Sequence, residues 1–270
     1  MIILEIAQDQ FIELRRRRLV LVLLVAAALV TGGFSLSLAA SKKAFTQDRS
    51  ALVEATGKMT PEEEAEFEAR MEQGVAIMET GLYAVVSIAG VVFALVMFCG
   101  LVPAEKARGT AHWVLAKPVT REQFLLGKWL GACAMLVIFS VTMSAILIAY
   151  HWRFEGSVSR TVPLSCVLLF FQAMLVGSVG LALSMVIPPA LAGVLAYFAG
   201  GEMLLGITKR IAPPLYYLLP SYNPFSVHMQ FLVGVEITPG RVGLLAAYAL
   251  AYSVAMLWVA QLAFRRHDLA

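Results

Sequence analysis

From residue 19 to residue 40 the sequence carries no charge, and the same holds for residues 81–102, 129–150, 164–187 and 242–264. A sixth apolar run, residues 190–207, contains one acid, Glu202. A helix rising 1.5 Å per residue crosses about 30 Å of hydrocarbon in about 20 residues. In lipid, a spanning segment must satisfy its own backbone hydrogen bonds, and a helix does so within one stretch of chain. Composition agrees with this reading. Sixty per cent of the residues are hydrophobic and 14% charged, against about 45–50% and about 25% in soluble domains. A chain of 270 residues has too little interior to hide that much apolar surface from water. An ordinary soluble enzyme is excluded. The expected fold is an all-α polytopic membrane protein with six transmembrane helices, residues 1–270 forming a single transmembrane domain.

The charges set the expected orientation. Arg15-Arg16-Arg17-Arg18 precedes the first run, and Arg265 and Arg266 follow the last. The positive-inside rule places both termini in the cytoplasm, which an even number of spans allows. Residues 103–128 then also face the cytoplasm, with Lys106, Arg108, Lys117, Arg121 and Lys128. Lys42 and Lys43 lie on the opposite side, in a segment long enough to cross regardless of charge. The first run exceeds a signal-peptide core, and Glu5, Asp9 and Glu13 precede it, so it reads as an uncleaved anchor. The expected location is the inner (cytoplasmic) membrane.

Residues 1–18 place Ile3, Ala7, Phe11 and Leu14 at helical spacing. This predicts an amphipathic helix in the cytoplasmic interface, its arginines meeting anionic membrane lipid. Within the external residues 41–80, Thr60, Pro61 and Glu63 spell a helix start with a capping box. Phe67, Met71, Val75 and Met78 stripe that helix, which either lies on the protein or leads into the second span. Pro188 and Pro189 break the chain between the fourth and fifth runs, predicting a helical hairpin. Residues 208–241 are cut by Pro213, Pro214, Pro220 and Pro224 into pieces, with short helices expected at 215–219 and 225–233 as a lid or a re-entrant filler.

Residues 103–128 are the most informative stretch. A short helix is expected over 105–116, stopped by Pro118. Thr120 then caps a second helix, with Gln123 completing its box, and that helix runs into the third span. Trp113, Val114 and Leu115 are apolar residues rimmed by charge, a pattern that marks partner sites.

Glu105, Arg108-Gly109-Thr110, Leu115, Lys117-Pro118-Val119, Arg121 and Gly127-Lys128 together resemble the signature of ABC-2-type transporter permeases. That pattern is an acid, a Gly-Thr, a leucine-rich turn, a Lys/Tyr-Pro-Val/Leu-x-Arg and a Gly-Lys before the third span. The layout of spans extends the likeness over nearly the whole chain. Within the family the sequence is most similar to permeases grouped with multi-copper enzyme maturation. The resemblance implies a dimer, homomeric or heteromeric, bound to two cytoplasmic ABC ATPase subunits that carry ATP and Mg. It also implies that Glu105, Arg108, Gly109, Thr110, Trp113, Leu115, Lys117, Pro118 and Arg121 form the ATPase-coupling segment, with the N-terminal helix framing the contact.

The residues themselves hold little other chemistry. No phosphate-binding Gly-x-x-x-x-Gly-Lys-Ser/Thr occurs, so ATP hydrolysis is expected in a partner chain and no cofactor in this one. His112, His151, His228 and His267 are scattered without metal-ligand spacing, and no nucleophile elbow appears. The chain is read as non-catalytic, with no metal site. The net charge of +3 does not point to nucleic acid. Cys99, Cys133 and Cys166 all lie inside apolar runs and argue against a disulfide framework. Glu202, as an acid within a span, is a candidate intramembrane polar site. The function expected is a permease subunit of an ATP-driven transporter. The alternatives are a secondary transporter acting alone, which would show paired halves and more intramembrane charge, or a membrane-anchoring scaffold.

Overall fold

A computed structural model describes residues 2–16, 18–56, 61–107, 120–211, 219–227 and 237–266. The elements are α1 (Ile2–Arg16), α2 (Arg18–Thr56), α3 (Pro61–Cys99), α4 (Pro103–Ala107), α5 (Arg121–Glu155), α6 (Thr161–Ser184), α7 (Pro189–Ala199), α8 (Glu202–Ile211), a 3-10 turn at Asn223–Phe225, and α9 (Pro239–Arg266). No strand occurs among the described residues. Among the described residues, five stretches are long and apolar enough to cross a membrane: Val20–Ala44, Glu64–Cys99, Arg121–Arg153, Thr161–Ser184 and Pro239–Phe264.

The helices α2 and α3 outrun the apolar stretches that predict them. Each has 39 residues, about 58 Å of helix against about 30 Å of hydrocarbon. The predicted external helix therefore leads straight into the second span, and the first span continues as helix through Thr56. Lys42 on α2 and Glu79 on α3 pair at 2.8 Å where the two leave their apolar stretches. Thr60 lies outside the described residues, so the cap expected there does too; the helix begins at Pro61 as the sequence reading placed it.

The centre of the bundle is α6, which packs on α3, α9, α7 and α5. Small residues let these helices approach closely, since in lipid they gain from packing rather than from leaving water. A Cβ on Gly177 would sit 2.9 Å from the Phe98 ring, and one on Gly180 would sit 2.6 Å from the Cys99 sulfur. Buried polar groups on α6 are satisfied across helices. The Trp129 indole donates to Ser178 Oγ at 3.0 Å, and Ser87 donates to Gln172 Oε1 at 3.0 Å. All three cysteines remain unpaired.

The fifth apolar run departs from expectation. It is not one spanning helix but two short ones, α7 and α8, separated at Gly200 and Gly201. The break is held by a residue far along the chain. Tyr222 donates its hydroxyl to the Ala196 carbonyl at 2.9 Å, and its backbone N–H bonds the Gly200 carbonyl at 3.2 Å. Its ring lies so near Gly200 that a Cβ there would come within 2.6 Å. Tyr222 thus takes up carbonyls that a continuous helix would have used, as buried backbone requires. Phe225 and Val227, on the same segment, are fully buried. The expected helices at 215–219 and 225–233 fall mostly outside the described residues, and within them the chain at 223–225 forms a 3-10 turn.

Candidate functional site

The helix that runs into the third span begins where the sequence places it. Thr120 Oγ1 accepts from the Gln123 N–H at 3.2 Å, and Gln123 Oε1 accepts from the Thr120 N–H at 3.1 Å. With the cap fixed, α5 presents Phe124, Gly127, Lys128 and Gly131 along one face, as helical spacing dictates. The helix α1 lies on that face. A Cβ on Gly127 would meet the Ile6 Cβ at 2.7 Å, and one on Gly131 would meet the Gln10 Cβ at 2.7 Å and the Ala7 carbonyl at 2.8 Å. Only glycine admits a neighbour this near.

Lys128 sits inside this contact, with its side chain 8% exposed. Its ammonium donates to Gln10 Oε1 at 2.5 Å and to Glu105 Oε1 at 2.6 Å, and lies 3.6 Å from Glu13 Oε2. Glu105 comes from α4, Gln10 and Glu13 from α1, and Lys128 from α5. One cation therefore joins three elements that are distant in sequence. Burying it without a carboxylate would cost several kcal/mol, so the pairing is obligatory. The Phe124 ring completes the enclosure, 5.6 Å from the ammonium. Gln10 Nε2 is buried without a partner among the described residues. Turning the amide over would aim that N–H group at the ammonium, so its orientation is set by Lys128.

Arg121 works about two turns earlier on the same helix. Its guanidinium donates to the Phe264 carbonyl at 3.3 Å and lies 5.7 Å from the Phe264 ring. Phe124 stacks on the same ring at 6.4 Å. The start of α5 is thereby fastened to the end of α9, where carbonyls lack helical partners and favour a cation.

Of the residues expected in the coupling segment, Glu105 and Arg121 are thus placed at the base of the bundle, on different partners. Arg108, Gly109, Thr110, Trp113, Leu115, Lys117 and Pro118 lie outside the described residues. The helix expected over 105–116 begins at Pro103 and is described through Ala107. Glu202 is not mid-helix; it is the first residue of α8, beyond the Gly200–Gly201 break. The contacts of Gln10 and Glu13 with Lys128 escaped the sequence reading. The available signal was a polar residue, Gln10, at helical spacing from Ile3, Ala7 and Leu14. Among the described residues no three His, Cys, Asp or Glu side chains gather as a metal would need.

A second feature lies along the spans. Ile88, Val92 and Val96 form an exposed ridge on α3. On one side a groove of about 500 Å³ separates it from α7, and on the other a groove of about 380 Å³ separates it from α2. Among the described residues, no charged side chain lines either groove. The helix α7 buries only Ala192 and Ala196 and exposes Val194, Tyr197 and Phe198.

No curated protein matches the chain. The family model described as ABC-2 family transporter protein matches residues 4–269. With the match covering almost every residue of an all-helical, multi-span bundle, the chain belongs to the ABC-2 transporter family and is a transmembrane permease component of that class.

Proposed function

We propose that this chain is the permease subunit of an ATP-driven transporter, working as a dimer and driven by two copies of a separate ABC ATPase that bind ATP and Mg. The observation that carries the reading is the anchoring of residues 103–128 at both ends. At one end Glu105 is tied to Lys128 and α1. At the other, α5 starts on a complete capping box and Arg121 holds α9. A partner that pushes on the intervening residues moves the second, third and sixth spans together. Both termini and this segment face the cytoplasm of the inner membrane in this reading, with Arg15–Arg18 at anionic headgroups. The ridge of α3 between two grooves supports the dimer. A ridge flanked by grooves is the shape that a second copy can interlock with about a two-fold axis.

The test is reconstitution of the full chain in nanodiscs with candidate ABC ATPases, read by native mass spectrometry and ATP turnover. Two permeases with two ATPases are expected, and substitutions at Glu105, Arg108 or Gly109 should abolish the permease's effect on turnover. Absence of any bound ATPase, or indifference of turnover to those substitutions, would overturn the reading.

A further inference from the structure

The fifth apolar run is divided into two helices, and neither is long enough to cross a membrane. The helix α7 has 11 residues and α8 has 10, about 16 Å and about 15 Å of rise against about 30 Å of hydrocarbon. Joined through Gly200 and Gly201 they would cover residues 189–211, about 34 Å of helix and enough for one span. The length is present, and the break withholds it. Bonds from one residue hold that break. In an unbroken helix the Gly200 carbonyl would accept from the N–H of Leu204, four residues on. Here it accepts from the Tyr222 N–H at 3.2 Å. The Tyr222 hydroxyl adds a second hold at 2.9 Å on the Ala196 carbonyl, an acceptor with two lone pairs. A Cβ on Gly200 would sit 2.5 Å from the Pro220 carbonyl oxygen and 2.6 Å from the Tyr222 ring, so the hold requires glycine there. Tyr222 itself is anchored away from α7. The Ser221 N–H donates to the Tyr248 hydroxyl oxygen on α9 at 3.1 Å, and Phe225 and Val227 are fully buried. The helix α7, by contrast, buries only Ala192 and Ala196.

We propose that Tyr222 is a latch that holds the fifth apolar run as two half-helices, and that its release lets the Gly200 carbonyl take the Leu204 N–H and joins α7 and α8 into one spanning helix. The Gly200 carbonyl has a donor in both arrangements, as backbone inside a membrane protein requires. The Gly200–Gly201 pair gives the chain the freedom to pass between them. The run then has two discrete arrangements, the property needed in any element through which a permease opens and closes a path.

The latch lies within one chain, so the full chain in lipid nanodiscs suffices to test it. Spin labels at Leu191 on α7 and Arg210 on α8, both exposed, report the separation of the far ends of the two helices. A continuous helix sets these positions about 28 Å apart. Gly200→Ala expels the Tyr222 ring and supplies a good helix former. It should move most of the distribution to that separation and narrow it. Tyr222→Phe removes only the hydroxyl hold and should raise the share of that same separation about fivefold over wild type, the worth of one hydrogen bond. Convergence of the two variants on one separation distinguishes release from local damage. Distributions unchanged in both variants overturn the latch, as does a shift in Gly200→Ala that Tyr222→Phe does not share. Variants that settle at different separations overturn it too. Where Gly200→Ala fails to fold, Tyr222→Phe decides alone, because it removes one oxygen and keeps the ring in place.

Discussion

Two ion pairs in this molecule have the same length and opposite surroundings. Arg70 meets Glu66 at 2.6 Å on the outlying part of α3, with side chains 77% and 65% exposed. Lys128 meets Glu105 at 2.6 Å at the base of the bundle, with both side chains 8% exposed. The first joins neighbours on one helix turn; the second joins α4 to α5 and draws in α1. Water solvates the first pair nearly as well when broken as when made. At the base there is no such alternative, because a carboxylate or ammonium left behind stays buried. Distance says nothing about worth here. Enclosure decides it, and the enclosure comes from Gly127, Gly131 and Phe124.

The sharpest way to break the comparison is to remove one member of the buried pair. Lys128→Met removes the cation that Glu105 and Glu13 share and should destabilise the bundle by about 3–5 kcal/mol. The double variant Lys128→Met with Glu105→Met should lie closer to wild type than the single one, since no buried carboxylate deprived of Lys128 remains on α4. Equilibrium unfolding in mixed micelles measures both. Equal losses in the single and double variants would show that packing, not charge, dominates at the base.

The enclosure itself can be opened without touching a charge. Gly131→Ala puts a Cβ 2.8 Å from the Ala7 carbonyl, which is backbone and cannot swing aside. The helix α1 must shift, at a cost of about 1–3 kcal/mol. The same unfolding measurement should place this variant between Lys128→Met and the surface changes. A loss below about 0.5 kcal/mol would mean that α1 yields freely, and the enclosed pair would be weaker than argued.

Lys42–Glu79 supplies the middle of the series. It is as short, at 2.8 Å, but its side chains are 25% and 28% exposed. It also joins two helices rather than two turns of one. Glu79→Gln should cost about 0.5–1 kcal/mol, with the loss shrinking as salt is raised. A cost as large as that of Lys128→Met would break the link between enclosure and worth.

The sequence exposes some of these features and hides others, for physical reasons. Local signals survive translation into structure. Thr120 and Gln123 form the expected box because both partners lie within one turn, and Pro188 and Pro189 stop a helix wherever they occur. The stripe of Ile3, Ala7, Phe11 and Leu14 faces inward because helical periodicity is local too. The continuation of α2 to Thr56 is hidden because apolar runs reveal where lipid ends, not where a helix ends. The break at Gly200 depends on Tyr222, and no reading of residues 190–207 alone contains that tyrosine. The Lys128 contacts are the extreme case. Gln10 and Glu105 lie 118 and 23 positions from Lys128, and nothing in their spacing declares that they meet.

The smallest expected effect closes the series and is its most exacting member. Glu66→Gln removes an ion pair as short as the buried one, along with one acid from a stretch that holds Glu62, Glu64 and Glu68 as exposed neighbours. Two terms oppose each other. The lost pairing with Arg70 costs about 0.3–0.5 kcal/mol, the usual worth of an i,i+4 pair on a solvated helix. The removed negative charge relieves repulsion from the other glutamates, a gain of similar size that salt screens in the same way. The net change should therefore fall within about 0.5 kcal/mol of zero at any ionic strength. A loss of 1 kcal/mol or more, roughly the upper bound for exposed pairs, would require this stretch of α3 to be enclosed by something other than water. The same 2.6 Å bond would then be reporting a partner on the outlying end of α3, just as its twin reports the packing of α1 at the base.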